Sequence, residues 1–183
     1  KQGEKLPLLI EELPLLIIEY LKRAAHRFPA KIALIRGADR YTYTQLSHAA
    51  HSAANWLIAR RSPPGFRAGI LTDDPFEYVS LYFGIQQAGC IVVGLNTQTT
   101  ELALLATLED CDGAVVFANS KFARLLNKVA TRLPALQHIV CDTGGQGGVA
   151  AGPASDRASL TGALRAGHGQ LASLPQPMRG SDS

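Results

Sequence analysis

From residue 68 to residue 141 the apolar positions repeat one order, in which a short run of consecutive apolar residues is followed by a stripe at helical spacing. The runs at 68–72, 90–95, 114–118 and 137–141 predict four strands. Between the first two, Asp74-Pro75-Phe76-Glu77 offers a capping carboxylate, a proline at the first helical position and a glutamate at the third, and Gly89 suits the exit. Leu104, Leu105 and Leu108 predict a helix from Glu101 to Asp110. Phe122, Leu125, Leu126, Val129 and Leu133 predict another from Lys121, stopped by Pro134. Strands without polar alternation are expected to be buried on both faces, and helical crossovers make them parallel and right-handed. The pattern therefore predicts an α/β fold, an open and mainly parallel sheet with flanking helices.

A β-hairpin is expected before this sheet. Ile32-Ala33-Leu34-Ile35 and Tyr41-Thr42-Tyr43 flank a turn signal at Gly37-Ala38-Asp39-Arg40. Leu46, Ala50, Ala53 and Leu57, with Ala49 and Ile58 beside them, then mark one face of a helix for which Thr44 is the expected cap; His48 and His51 fall off that face. In such sheets ligands sit beyond the carboxyl ends of the strands, near a change in strand order. The informative loops are therefore 72–75, 96–100, 119–120 and 142–148.

The ends of the chain read differently. Leu6-Pro7-Leu8-Leu9-Ile10 recurs as Leu13-Pro14-Leu15-Leu16-Ile17, and the prolines forbid one continuous coiled coil. This predicts a docking segment or an appended extension. Residues 143–183 hold nine of the 17 glycines and three of the ten prolines, with no lysine and no aromatic, so a short helix near 159–166 is the only element expected there. The expected organisation is an N-terminal extension at 1–14, an α/β unit at 15–142 and a Gly/Ala/Pro-rich loop or linker at 143–183.

Composition narrows the class. The chain has 183 residues, 46% apolar and 18% charged, which is globular rather than disordered and large enough for one core without a staple. Net charge is +3, and the basic residues are scattered singly or in pairs such as Lys22-Arg23 and Arg60-Arg61, which argues against nucleic-acid binding. Cys90, Cys111 and Cys141 lie far apart in an odd number, as buried free thiols of a cytoplasmic protein do. Glu11, Glu12 and Glu19 interrupt the apolar opening, so no secretory signal is expected. Residues Tyr78 to Thr100 carry no charge over 23 positions, but Gln86, Gln87, Asn96, Gln98 and three glycines make a buried helix and strand the better reading than a membrane span.

No self-contained catalytic set emerges from the residues. Gly144-Gly145-Gln146-Gly147-Gly148 follows a predicted strand, yet no helix opens at once and no Lys-Ser/Thr pair follows, so a flexible linker is a better reading than a phosphate cradle. His48 and His51 lack a third ligand at helical spacing, and His26, His138 and His168 show no partner. The cysteines have no adjacent histidine or basic pair and read as structural thiols. Asp73-Asp74 could be paired carboxylates or a magnesium site, but capping accounts for Asp74 and solvation for Asp73. A Gly-x-Ser-x-Gly elbow is absent.

Four motifs in order carry a resemblance. Phe28-Pro29-Ala30-Lys31-Ile32-Ala33-Leu34, Tyr41-Thr42-Tyr43-Thr44-Gln45-Leu46, Ala88-Gly89-Cys90-Ile91-Val92-Val93-Gly94-Leu95-Asn96 and Leu108-Glu109-Asp110 resemble the opening of the adenylate-forming, AMP-binding enzymes, from about Leu16 to Cys141. Leu95-Asn96, Thr100 and the Leu-Glu-Asp helix end look more like acyl-CoA synthetases than like peptide-synthetase domains. Gly94, Asp74 and Phe66 depart from the usual proline, asparagine and acidic residue, at positions that perform no chemistry in the family. The resemblance implies a Rossmann-like N-terminal subdomain of an acid–thiol ligase. In that chemistry a carboxylate attacks the α-phosphate of ATP and a thiol, usually that of coenzyme A, then displaces AMP, with magnesium assisting. It also implies that the Ser/Thr/Gly-rich loop ending in Pro-Lys follows Ser183. This segment is accordingly expected to contribute no catalytic, cofactor-binding or metal-ligating residue, to bind none of these cofactors tightly, and to partner the rest of its own polypeptide or a second copy. Two other readings are a freestanding non-catalytic α/β interaction module and a nucleotide-binding domain built on the glycine cluster.

Overall fold

The computed structural model describes residues 17–141, Leu164 and the backbone of Met178–Arg179. The apolar N-terminal repeat up to Leu16, the glycine cluster Gly144 to Gly148 and His168 lie outside the described residues. So does the helix expected near 159–166, apart from Leu164, which is helical and buried.

Helix α1 (Ile17–Arg27) precedes an antiparallel hairpin, β1 (Ile32–Arg36) and β2 (Asp39–Thr42). The apolar pattern did not single out α1, because only Ile18 and Leu21 turn inward. In the hairpin Arg36 pairs with Asp39, leaving a two-residue turn at Gly37-Ala38, and Gly37 takes the positive φ of 57° that primed hairpin turns demand. Met178–Arg179 form a further strand, β7, antiparallel to β2, in a stretch whose glycines and prolines read as loop. Pairing with a distant strand, invisible to local composition, places it there.

Helix α2 (Tyr43–Ala59) begins earlier than expected. Thr42, rather than Thr44, is the cap, because Gln45 three residues on completes a capping box: the Gln45 amide donates to Thr42 Oγ1 at 3.2 Å and the Thr42 amide to Gln45 Oε1 at 2.8 Å. The Thr44 hydroxyl donates instead to the Pro29 carbonyl at 3.0 Å. Leu46, Ala49, Ala50, Ala53 and Leu57 are buried as predicted, whereas Ile58 is 56% exposed.

The parallel sheet follows. Its strands are β3 (Arg67–Leu71), β4 (Ile91–Gly94), β5 (Val115–Ala118) and β6 (His138–Cys141), in the spatial order β4-β3-β5-β6. Helices α3 (Pro75–Gln87), α4 (Glu101–Asp110) and α5 (Ala123–Ala130) make the crossovers, with a 3₁₀ turn at Ser120–Phe122 before α5. The span from Tyr78 to Thr100 thus resolves into most of α3, a turn, β4 and a loop, and no described helix is long and apolar enough to cross a membrane.

Successive residues of β5 face opposite layers. Val115 and Phe117 join Trp56, Leu57, Ile70, Leu81 and Ile85 beneath α2 and α3, while Val116 and Ala118 join Leu104, Leu108 and Leu126 beneath α4 and α5. Burial on both faces holds for β3 and β5 but not for β4, whose Ile91 is 48% exposed, because β4 is an edge strand. α5 ends at Ala130, short of Pro134; the amides of Arg132 and Leu133 bond to Val129 and Ala130, tightening the last turn while Leu133 stays buried.

Candidate functional site

β3 sends its crossover to β4 on one side, and β5 returns to pair with β3 on the other, so the connections diverge between β3 and β5. Open α/β sheets bind ligands at this switch point, beyond the carboxyl ends of the strands. The residues there are Thr72, Asp73 and Asp74 after β3, and Asn119, Ser120 and Lys121 after β5. Two of the predicted loops, 72–75 and 119–120, therefore meet.

Thr72 is the hinge of this edge. Buried at the end of β3, its hydroxyl donates to Glu77 Oε2 at 2.6 Å and accepts from the Asp74 amide at 3.1 Å and from Asn119 Nδ2 at 3.2 Å. The same Asn119 nitrogen donates to Asp73 Oδ1 at 2.6 Å, and Lys121 Nζ to Asp73 Oδ2 at 2.7 Å. Both Asp73 oxygens are thus engaged, where the sequence left that side chain merely solvated. The Lys121 and Asn119 donors hold the Asp73 carboxyl below its ordinary range. Cys141 Sγ donates to the Asn119 carbonyl at 3.2 Å, tying the end of β6 to the same loop.

Asp74 faces a different set. Its Oδ1 accepts the amides of Phe76 and Glu77 at 2.9 and 3.0 Å, the predicted cap of α3, and its Oδ2 takes Arg36 from β1. Arg36 also donates to Asp39 at 2.6 Å, and the Asp39 and Asp74 carboxylates raise its already high pKa. Tyr41 stacks on Phe76 with ring centroids 4.0 Å apart, and burial pushes its phenol up. This cluster locks the hairpin onto the start of α3.

The other candidates are dispersed. His51 Nδ1 lies 2.9 Å from Gln87 Nε2, and no three metal-ligating side chains converge among the described residues. His138, which showed no partner in sequence, meets the Trp56 ring edge-on at 5.8 Å, while the Arg60 guanidinium lies 3.7 Å above that ring. None of the three cysteines is in a disulfide; Cys90 is buried and the others are half-buried. Burial raises the thiol pKa of both Cys90 and Cys111. In the loop 96–100, Asn96 Oδ1 accepts the Gln98 amide at 2.9 Å and Thr100 caps α4; residues 142–148 lie outside the described set. Sequence reasoning missed Lys121 as a site residue. It stands 48 positions from Asp73, and no local signal joins the two.

The profile of the AMP-binding enzyme family matches residues 21–166. The chain belongs to the AMP-binding enzyme family. The chain is 30% identical over 131 residues to a medium-chain fatty-acid–CoA ligase of Escherichia coli (strain K12), a match covering 68% of the chain and 23% of that ligase. It superposes with a TM-score of 0.71 and 29% identity on an anthranilate CoA ligase in complex with anthranoyl-AMP, covering 91% of the chain and 30% of that structure. The N-terminal domain of a Mycobacterium tuberculosis protein, solved with an inhibitor, shares the fold with a TM-score of 0.67 and 21% identity, over 88% of the chain and 37% of the domain. The chain thus spans about a quarter of the length of the curated relative.

The switch-point carboxylates do not fit a magnesium ion of a bound nucleotide. Asp73 and Asp74 turn to separate partners rather than toward one cation, and Lys121 is held by Asp73.

Proposed function

We propose that the chain is the N-terminal part of an ATP-dependent acyl-CoA synthetase-like ligase, in which it supplies scaffold rather than catalytic groups. The observation that carries this reading is the family match over residues 21–166 on a chain about a quarter the length of its curated relative. The engaged carboxylates of the switch point and the absence of any Pro-Lys dipeptide in residues 1–183 support the same division of labour. The whole ligase would activate a carboxylate as an acyl-adenylate and transfer it to the coenzyme A thiol, with ATP and magnesium engaged by residues outside this chain. Its working partner is then the remainder of the same polypeptide, and its compartment the cytoplasm.

Carboxylate-dependent exchange of pyrophosphate into ATP tests both halves of the proposal, measured on the 183-residue chain and on the longest product of its gene against a panel of fatty and aryl acids. The long product is expected to exchange and the chain alone to be silent. Exchange by the chain alone would overturn the scaffold role. Silence of the long product with every acid would overturn the ligase reading.

A further inference from the structure

Helix α1 has two different faces. Ile18 and Leu21 turn inward and pack against Leu46 and Ala50 of α2. Tyr20, Arg23, Ala24, Arg27 and Phe28 follow the i, i+3, i+4, i+7, i+8 spacing of a second face, turned outward. Phe28 belongs to it because its amide donates to the Ala24 carbonyl at 2.8 Å and continues the last turn. Tyr20 is 55% exposed and Phe28 45%, on a helix whose contact with the core is already made by its other face. Lys22 and His26 complete the rim of a surface hollow over these residues.

Charge on this face is one-sided. Glu19 is the only acid from Ile17 to Ala38, against Lys22, Arg23, Arg27, Lys31 and Arg36. Glu19 is taken by Lys22 at 2.7 Å, and Arg36 by Asp39 and Asp74. Arg23, Arg27 and Lys31 make no ion pair among the described residues; Arg27 and Lys31 lie instead over the Phe28 ring, 5.3 and 5.4 Å from its centroid. The basic positions of α5 differ, since Lys121 is held by Asp73 and Lys128 lies 3.5 Å from Glu101. Uncompensated cations interleaved with exposed rings are therefore a property of α1.

We propose that this face of α1 binds the surface of an anionic lipid bilayer, with the helix lying in the plane of the interface. Aromatic rings on such a helix enter the headgroup layer, and long cationic side chains lie along apolar surface while their charged ends reach the lipid phosphates. Charge balance selects this partner over the flanking segments of the chain. Residues 1–16 hold three acids against two lysines, and residues 142–183 three acids against three arginines, so neither segment can neutralise Arg23, Arg27 and Lys31 together. A protein surface, including the remainder of the same polypeptide, would take both arginines out of water and would have to set a carboxylate beside each, because an unpaired buried charge is costly. A lipid surface makes no such demand: its phosphates are mobile, and the charged ends stay hydrated while the rings are buried.

Co-sedimentation of the 183-residue chain with phosphatidylcholine vesicles, with and without a third of phosphatidylglycerol, tests the proposal. Binding is expected to the anionic vesicles alone and to fall as salt is raised, because salt screens the attraction. Arg23→Gln, Arg27→Gln and Lys31→Gln should each weaken it by about fivefold, the usual worth of a basic residue at an anionic surface, and together by about a hundredfold. Tyr20→Ala should weaken it at low and high salt alike, because the ring contributes buried area rather than charge. All four side chains are exposed, so circular dichroism should not change. Removal of residues 1–16 should leave both the dichroism and the binding in place. Failure to bind anionic vesicles would overturn the proposal. So would equal binding to neutral vesicles, indifference to the triple variant, or binding lost with residues 1–16 while the dichroism persists. Retention on immobilised polyglutamate but not on vesicles would assign the face to an acidic protein and overturn it as well.

Discussion

Asp73 and Asp74 are neighbours in sequence and strangers in the fold. Asp74 neutralises two orphan amides of α3 and receives Arg36, so Asp74→Ala should lower unfolding free energy by about 1–2 kcal/mol, the ordinary worth of a lost helix cap, read from urea denaturation. Asp73 acts through charge. Its pKa is lowered from an ordinary 3.8 by Lys121 and Asn119, so the stability it contributes is complete above the unfolded value and is lost as pH falls through the lower folded value. Melting temperature should therefore decline below about pH 4, and Asp73→Asn should shrink that decline; an unchanged acid limb would refute the pairing. Cys90, buried with its thiol raised, should resist iodoacetamide in the native chain at pH 8 and react once the chain is unfolded. The capping role of Asp74 was legible because a cap is local. The Asp73–Lys121 pair was not, because its members meet only when β3 and β5 lie side by side.

Helix boundaries were read best where punctuation is local and unambiguous. α4 spans Glu101–Asp110 as predicted, and α3 leaves through Gly89 at a φ of 75°, a conformation the missing Cβ permits. The start of α2 shows how a single cap signal misleads: Thr42 and Thr44 are both competent, and the side chain of Gln45 decides between them. The contact of α2 with α3 had no signal beyond a glycine in a helical stripe. A Cβ at Gly84 would lie 2.5 Å from the Ala50 carbonyl and 2.7 Å from the Ala53 Cβ, so the two helices touch through backbone. Gly84→Ala should thus destabilise by about 1–3 kcal/mol through overpacking, despite its better helix propensity. Calorimetry would reveal it as a lowered melting temperature, and a raised one would contradict the close approach.

At the scale of the molecule, both apolar layers share the strands β3 and β5, so neither can be lost while the other persists. Trp56, the single tryptophan, reports the α2/α3 layer, while far-ultraviolet circular dichroism reports all helices. Their urea transitions should coincide, and Phe117→Ala, at a fully buried site between β5 and α2, should shift both together by about 3–5 kcal/mol. Separate transitions would show that the layers unfold independently.

Apolar periodicity, caps and turn residues determined which segments became strands and helices, because each depends on contacts within a few residues. Crossover length determined that the strands run parallel. Tertiary structure alone decided the order β4-β3-β5-β6, and with it the buried centre, the edge position of β4 among the described residues and the switch point where residues 48 positions apart become partners. The strands β3 and β4 carry similarly apolar sequences; the first is buried and the second half-exposed because burial is set by how many neighbours a strand acquires, which no strand encodes by itself.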